Sequence, residues 1–360
     1  MAKQHNDSLS IKALVSELKI MIYLGQHTNV VNLLGACTKD LIRGELAVIV
    51  EYCKYGNLRE ILLKYRNNFT NKINENDEIV ITIATANCNE STGSIGEPRT
   101  ISPNEEQELE GTLISNVPTT VQKFTFGSNG CIESNDMYEP EWRSNYKSDC
   151  NDAFNKPIDT TDLICWSFHV ARGMEYLTSR KILHGDLAAR NILLAEGNIA
   201  KICDFGLAKN MYQNEEYKSS KTVFPVKWMA IESLRDRIFS TQSDVWSFGI
   251  TMWEFFSLAI LPYPDLDNSE VYKKLVSGYR LEKPKFATSK IYDIMMDCWK
   301  EHPKQRPSFD DLVQKLRDIL EPPTQSQNPN DDAKECAKIL NAPIAKNPYV
   351  AENQLELNDI

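Results

Sequence analysis

The chain has 360 residues, 42% of them hydrophobic and 25% charged, with a formal net charge of −10. That is an ordinary globular balance, with material for one large domain or two modest ones. The acidic surplus argues against nucleic-acid binding and against a protein held at a membrane surface by overall basicity.

In chain order, Ile11, Leu14, Val15, Leu18, Met21 and Ile22 recur at helical spacing and predict an amphipathic helix over residues 10–24. Two apolar stretches, 30–34 and 46–50, flank Gly35 and a turn region at 39–44; they predict two antiparallel strands. Residues 57–65 predict another short helix. Composition then changes: from Asn67 to Pro157 there are fifteen acidic and six basic residues, a net of −9, with much Asn, Ser and Thr. Such a stretch inside a compact domain reads as a disordered insert. Within it, residues 78–86 alternate apolar side chains, which chance composition explains better than a functional strand. Helical pattern returns at 161–178 and, in pieces, from 241 to 320. Two prolines follow Glu321, and the polar remainder reads as a flexible tail.

Nine cysteines and five histidines are dispersed without a CxxC pair, so neither a zinc site nor a disulfide framework is expected, and a reducing cytosol fits best. No signal peptide opens the chain and no apolar run approaches the length of a membrane span, so a soluble, cytoplasmic polypeptide is expected.

The chemistry-bearing residues lie in the second half. His184-Gly185-Asp186-Leu187-Ala188-Ala189-Arg190-Asn191 is followed, thirteen residues after Asn191, by Asp204-Phe205-Gly206. An acid, an amide and a second acid in this order suit phosphoryl transfer, with one group for an acceptor hydroxyl and two for metal held against phosphates. Trp228-Met229-Ala230-Ile231-Glu232, Asp244-Val245-Trp246-Ser247-Phe248-Gly249 and His302-Pro303-Lys304-Gln305-Arg306-Pro307 follow. The series resembles the protein-kinase catalytic domain over residues 10–66 and 158–320. That resemblance implies an α+β, two-lobed fold with a mainly helical large lobe and a small lobe lacking its first three strands. It divides the chain into a small-lobe remnant at 1–52, hinge and start of the large lobe at 53–66, the acidic insert at 67–157, the large lobe at 158–320 and a tail at 321–360.

By the same resemblance Asp186 receives the proton of the acceptor, Asn191 and Asp204 bind Mg²⁺ against the phosphates of ATP, and Glu17 is the glutamate of helix C. Ala188 stands where kinases acting on serine or threonine usually carry lysine, and Arg190 supplies a guanidinium instead. Together with Phe224-Pro225-Val226-Lys227-Trp228, which resembles the platform for a phenol ring, this implies tyrosine as acceptor. Ala13 to Ile20, Asn29 to Thr38 and Leu163 to Phe168, with the long insert, resemble the vascular endothelial and platelet-derived growth factor receptor kinases. Fibroblast growth factor receptors, with a short insert, are the nearest alternative.

Further roles follow by motif. Val50 is the gatekeeper, Glu51-Tyr52-Cys53 the hinge that reads adenine, and Leu193 the residue beneath it. Met21, Leu33, His184 and Phe205 form the apolar spine between lobes. Asp244 anchors the catalytic loop, and Glu232 and Arg306 form a buried ion pair. Cys203 reads as an inert buried thiol. Tyr212 and Tyr217 resemble paired autophosphorylation sites, and Tyr138 and Tyr349 are candidate docking sites for phosphotyrosine-reading domains.

Four departures stand out. No GxGxxG precedes Glu17, the family's strand lysine would fall just upstream of Met1, and Lys3 is its only nearby replacement. Gly185 replaces the arginine that meets the activation-loop phosphate, which leaves Lys209 or Lys221 to supply a cation. Ile231 replaces a proline, and the stretch between Tyr217 and Pro225 is one residue short. The resemblance implies a receptor tyrosine kinase using ATP and Mg²⁺ on the cytoplasmic side of the plasma membrane. Its partners would be protein tyrosines, including its own in trans, adaptor domains and a second receptor in a dimer; nucleic acid is not among them. The alternative is a truncated, inactive form acting as a docking or dominant-interfering module.

Overall fold

The computed structural model describes residues 4–39, 46–80, 157–210, 217–218 and 224–321. The first helix, α1, spans Gln4–Leu24. Its buried stripe differs from the expected one: Leu18, Ile20, Met21 and Leu24 are buried, whereas Ile22 is 44% exposed. The stripe turns because the helix's last turn is gripped from another side, where the Tyr176 hydroxyl donates to the Leu24 carbonyl and the His27 ring stacks on Tyr176.

Strands β1 (Leu33–Cys37) and β2 (Ala47–Val50) pair antiparallel, from Leu33 opposite Val50 to Cys37 opposite Ala47, with a register irregularity between Leu33 and Gly35. The first strand therefore starts later than the apolar run implies. Val30 bridges to Ile202 instead, and the Val31 N–H donates to the Ile202 carbonyl at 2.9 Å. One apolar run thus serves two partners, and Leu34 is left exposed. Helix α2 (Leu58–Tyr65) starts at Asn57, whose side chain accepts the Glu60 N–H.

Residues 67–80, acidic and polar by composition, are built against the rest of the chain. The Thr70 N–H donates to the Ile158 carbonyl at 2.9 Å, Lys72 pairs with Asp159 at 2.8 Å, and Phe69 meets Phe286 with ring centroids 4.7 Å apart. Asn74 accepts from the N–H groups of Asn76 and Glu78, which closes a turn. Asp77 then accepts the Ser289 N–H at 2.6 Å. Residues 81–156, with Tyr138, and the tail from 322, with Tyr349, lie outside the described residues.

Helix α3 (Thr160–Ser179) opens on a capping box of Asp159 and Asp162. Short strands β3 (Ile182–Leu183) and β6 (Lys209–Asn210) pair, and β4 (Ile192–Ala195) with β5 (Ile199–Ile202) makes a hairpin. Strand β7 (Tyr217–Lys218) pairs with β8 (Ile238–Phe239), which follows the short helix α4 (Ile231–Asp236). Helix α5 (Thr241–Phe256) is buried at every position from Ser243 to Phe256, so it is the axis around which the large unit is built. Helices α6 (Asn268–Val276), α7 (Ser289–Cys298) and α8 (Phe309–Leu320) complete it, with α8 packed on α3 and α7 on α5. No described helix is long and apolar enough to cross a membrane. None of the described cysteines, Cys37, Cys53, Cys165, Cys203 and Cys298, is in a disulfide, and Cys203, expected to be buried, is only partly so.

Candidate active site

Strand β3 delivers the chain to the loop that begins at His184. Asp244, in the first turn of the buried helix, accepts the N–H of His184 at 2.8 Å and of Gly185 at 2.9 Å. Burial raises the Asp244 pKa, opposed by its electrostatic interaction with the His184 ring and by the two N–H bonds. Gly185 has φ +78°, and a Cβ there would lie 3.3 Å from the Leu207 carbonyl oxygen. A side chain at this position would cost backbone strain as well as space. The His184 ring is set by two bonds: Nδ1 accepts the Asp186 N–H at 3.2 Å, and Nε2 lies 3.1 Å from the Cys203 carbonyl. Both fit the Nε2–H tautomer. His184 also faces the Phe205 ring at 5.6 Å between centroids.

Asp186 is 2% exposed. Its Oδ1 meets the Arg190 guanidinium at 2.5 Å, and its carbonyl accepts the Asn191 amide N–H at 2.7 Å. Arg190 lies over the Trp228 ring, 4.5 Å from its centroid. A small cavity beside the loop is lined by Gly185, Asp186, Pro225, Trp228 and Asp244 among others, so the acid and the proline-tryptophan platform share one wall. Lys227 of that platform is buried and donates to the Tyr263 carbonyl at 2.9 Å. Burial lowers its pKa, partly opposed by Asp267.

The Cys203 N–H donates to the Asn191 carbonyl at 3.0 Å, which sets the segment leading to Asp204 beside the loop. Asp204 adopts φ +63°, and its Oδ1 accepts the Gly206 N–H at 3.1 Å. Glu17 reaches from α1 to accept the Phe205 N–H at 3.1 Å. Met21 and Phe205 belong to one apolar core, with Leu33 packed against it. The fit to a divalent cation is chemical. Asn191 has its amide nitrogen committed to Asp186, which presents the amide oxygen, and Asp204 contributes a carboxylate; both are the hard donors Mg²⁺ takes. No group of three or more His, Cys, Asp or Glu suited to a metal occurs among the described residues, and two protein donors beside substrate phosphates are the usual Mg²⁺ pattern.

At the other edge, Val50 is half-buried, Leu193 and Cys53 are buried and Tyr52 is 39% exposed. Leu193 bridges to Asn57, which closes this region onto β4. Glu51 accepts from the Asn32 N–H at 2.8 Å and the Asn32 amide at 2.9 Å, and pairs with the buried Lys201 at 2.9 Å. Away from the centre, Arg306 grips Glu232 through two bonds, at 2.7 and 2.9 Å, and also donates to the carbonyls of Lys300, Gln242 and Glu301. Tyr217 sits at the register position opposite Phe239; Tyr212 and Lys221 lie outside the described residues.

Sequence reasoning missed two features. One is the Asn32–Glu51–Lys201 clamp, whose members are too far apart in sequence to share a spacing. The other is Glu254, buried on α5, whose Oε2 accepts both the Ala189 N–H at 3.0 Å and the Trp228 indole N–H at 2.8 Å. Burial raises its pKa, opposed by those two bonds and by Arg190 and Arg59. A carboxylate inside the apolar run Ile250 to Phe256 was the signal, because such a group is rarely buried without partners.

The model of the family "Protein tyrosine and serine/threonine kinase" matches residues 1–316. Among curated relatives, vascular endothelial growth factor receptor 1 of Rattus norvegicus is 42% identical over 351 residues, covering 96% of this chain and 24% of the receptor. The Homo sapiens receptor 1 is 43% identical over 323 residues, covering 89% of the chain and 22% of the receptor. Vascular endothelial growth factor receptor 3 of Coturnix coturnix is 40% identical over 329 residues, 91% of the chain and 22% of the receptor. The chain spans about a quarter of the length of these relatives. It belongs to the protein tyrosine and serine/threonine kinase family, on the branch of the vascular endothelial growth factor receptors.

Proposed function

We infer that this chain is the kinase region of a growth factor receptor and that its chemistry is transfer of the γ-phosphoryl group of ATP to tyrosine in proteins. The observation that carries the reading is the Asp186–Arg190 pair with Arg190 lying over Trp228. It sets a carboxylate and a guanidinium against the Phe224–Trp228 segment, which supports a reading in which a phenol is the acceptor. Asp186 orients the hydroxyl and takes its proton. Arg190 offsets charge on the transferring group. Asn191 and Asp204 would hold Mg²⁺, which supplies charge neutralisation on the phosphates when bound. Val50, Glu51, Tyr52, Cys53 and Leu193 would frame the adenine, and Glu17 steadies the segment of Phe205. Substrates in this reading are protein tyrosines, including Tyr212 and Tyr217 of a second copy. Phosphotyrosine-reading domains and a receptor dimer at the plasma membrane are the partners.

Residues 1–24 contain no glycine, so the polypeptide of residues 1–360 alone holds no glycine-rich roof over phosphates. This favours a second reading for that polypeptide: a slow or inactive docking module. The experiment that separates the two compares turnover on a tyrosine copolymer by residues 1–360 and by a chimera. The chimera carries the glycine-rich loop and strand lysine of vascular endothelial growth factor receptor 1 ahead of Met1. The chimera is expected to be faster by about 100-fold or more, the scale set by losing preorganised donors on a transferring group. Turnover within tenfold would sink the second reading.

A further inference from the structure

We propose that Glu254 is a positioning residue that locks the acceptor platform to the catalytic loop and so sets the preference for tyrosine. One carboxylate oxygen receives two donors from different segments: the Ala189 N–H, three residues after Asp186, at 3.0 Å, and the Trp228 indole N–H at 2.8 Å. Trp228 carries the Arg190 guanidinium on its face at 4.5 Å, and Arg190 meets Asp186 at 2.5 Å. Acid, cation, platform and Glu254 therefore form one continuous chain of contacts. Glu254 is 2% exposed, and it projects from α5, the helix that also anchors His184 and Gly185 through Asp244. Both groups it holds would otherwise be buried donors without acceptors, which structures rarely tolerate. With them held, the distance from the platform to Asp186 is fixed. A phenolic oxygen lies farther from its backbone than a serine oxygen, so that distance decides which acceptor reaches the acid.

The role rests on the tyrosine reading above, and its test keeps the two apart. The full chain, with Mg²⁺ and a nonhydrolysable ATP analogue present, is titrated by NMR with a single-tyrosine peptide and with its serine twin. Glu254→Ala, which leaves both donors without their acceptor, is expected to weaken the tyrosine peptide by about tenfold and to erase the preference over serine. Glu254→Gln keeps a carbonyl oxygen that can take both donors, so it is expected to stay within about threefold of wild type. Amide exchange at His184 and Gly185, which Asp244 holds, is expected to be unchanged in both variants. A tyrosine preference that survives Glu254→Ala would overturn the role alone. Faster exchange at His184 in that variant would do the same, since it would show a general loosening. A wild-type chain indifferent to tyrosine and serine would overturn the tyrosine reading itself, and the role with it.

Discussion

Asp244→Asn isolates how much of the site depends on one buried acceptor. In the wild type both carboxylate oxygens are used, one on the His184 N–H at 2.8 Å and one on the Gly185 N–H at 2.9 Å. Asparagine offers a single oxygen, so one N–H stays bonded while the other faces an NH₂ group. An orphaned buried donor costs about 1–3 kcal/mol, and replacing an ionic acceptor by a neutral one adds about 1 kcal/mol. Removing a carboxylate whose burial already disfavours its charge returns part of this. The net expectation is a loss of about 2–3 kcal/mol, or roughly 4–12 °C in melting temperature for a domain of this size. Denaturation gives the global value, and amide exchange shows whether the loop at His184 and Gly185 opens before α5 does. A loss under about 0.5 kcal/mol, the range of ordinary surface substitutions, with exchange at both amides unchanged, would refute the reasoning.

His169 is buried, and burial, then Arg172 and Lys201, lower its pKa from 6.5 to about 4. The unfolded chain then binds a proton that the folded chain refuses, so stability is lost as pH falls from 6.5 toward 4. At pH 5 the loss from this residue is about 2 kcal/mol, and urea unfolding of His169→Gln is expected to lack that share of the acid sensitivity. Deleting residues 82–155 is expected to leave the melting temperature within about 2 °C, while removing 70–80 lowers it by about 4 °C or more, through loss of the Lys72–Asp159 pair and the Asp77 bond to Ser289. A larger loss from 82–155 than from 70–80 would show the two parts reversed. In the chimera, Asp186→Asn is expected to abolish transfer with nucleotide binding nearly intact, while Asp204→Asn also weakens Mg²⁺-nucleotide binding. Calorimetry with a nonhydrolysable analogue decides this, and equal losses of affinity would defeat the separate roles.

The candidate catalytic residues were legible because chemistry limits both residue type and spacing. Asp186, Arg190 and Asn191 lie within six residues, and the structure brings them and Asp204 into adjacent segments. The helices over 10–24 and 161–178 were legible by period, while the caps that start α2 and α3, Asn57 and Asp159, came from the structure. Other features depend on pairing at long range. Residues 67–80 look like solvated loop by composition, yet Asn74 and Asp77 spend their polar groups on a turn and on the start of α7. Ile22 fits the helical period but faces outward, because Tyr176 fixes where the last turn of α1 lands. Glu254 shows the same limit: its helix was evident, but its two donors come from distant segments.

The most direct test of the central claim is a phosphotransfer assay with the chimera on a peptide that carries one tyrosine and one serine, read by site-resolved mass spectrometry. The account predicts phosphate on the tyrosine alone, and none on either residue with Asp186→Asn. Phosphate on the serine, or transfer that survives Asp186→Asn, would contradict it.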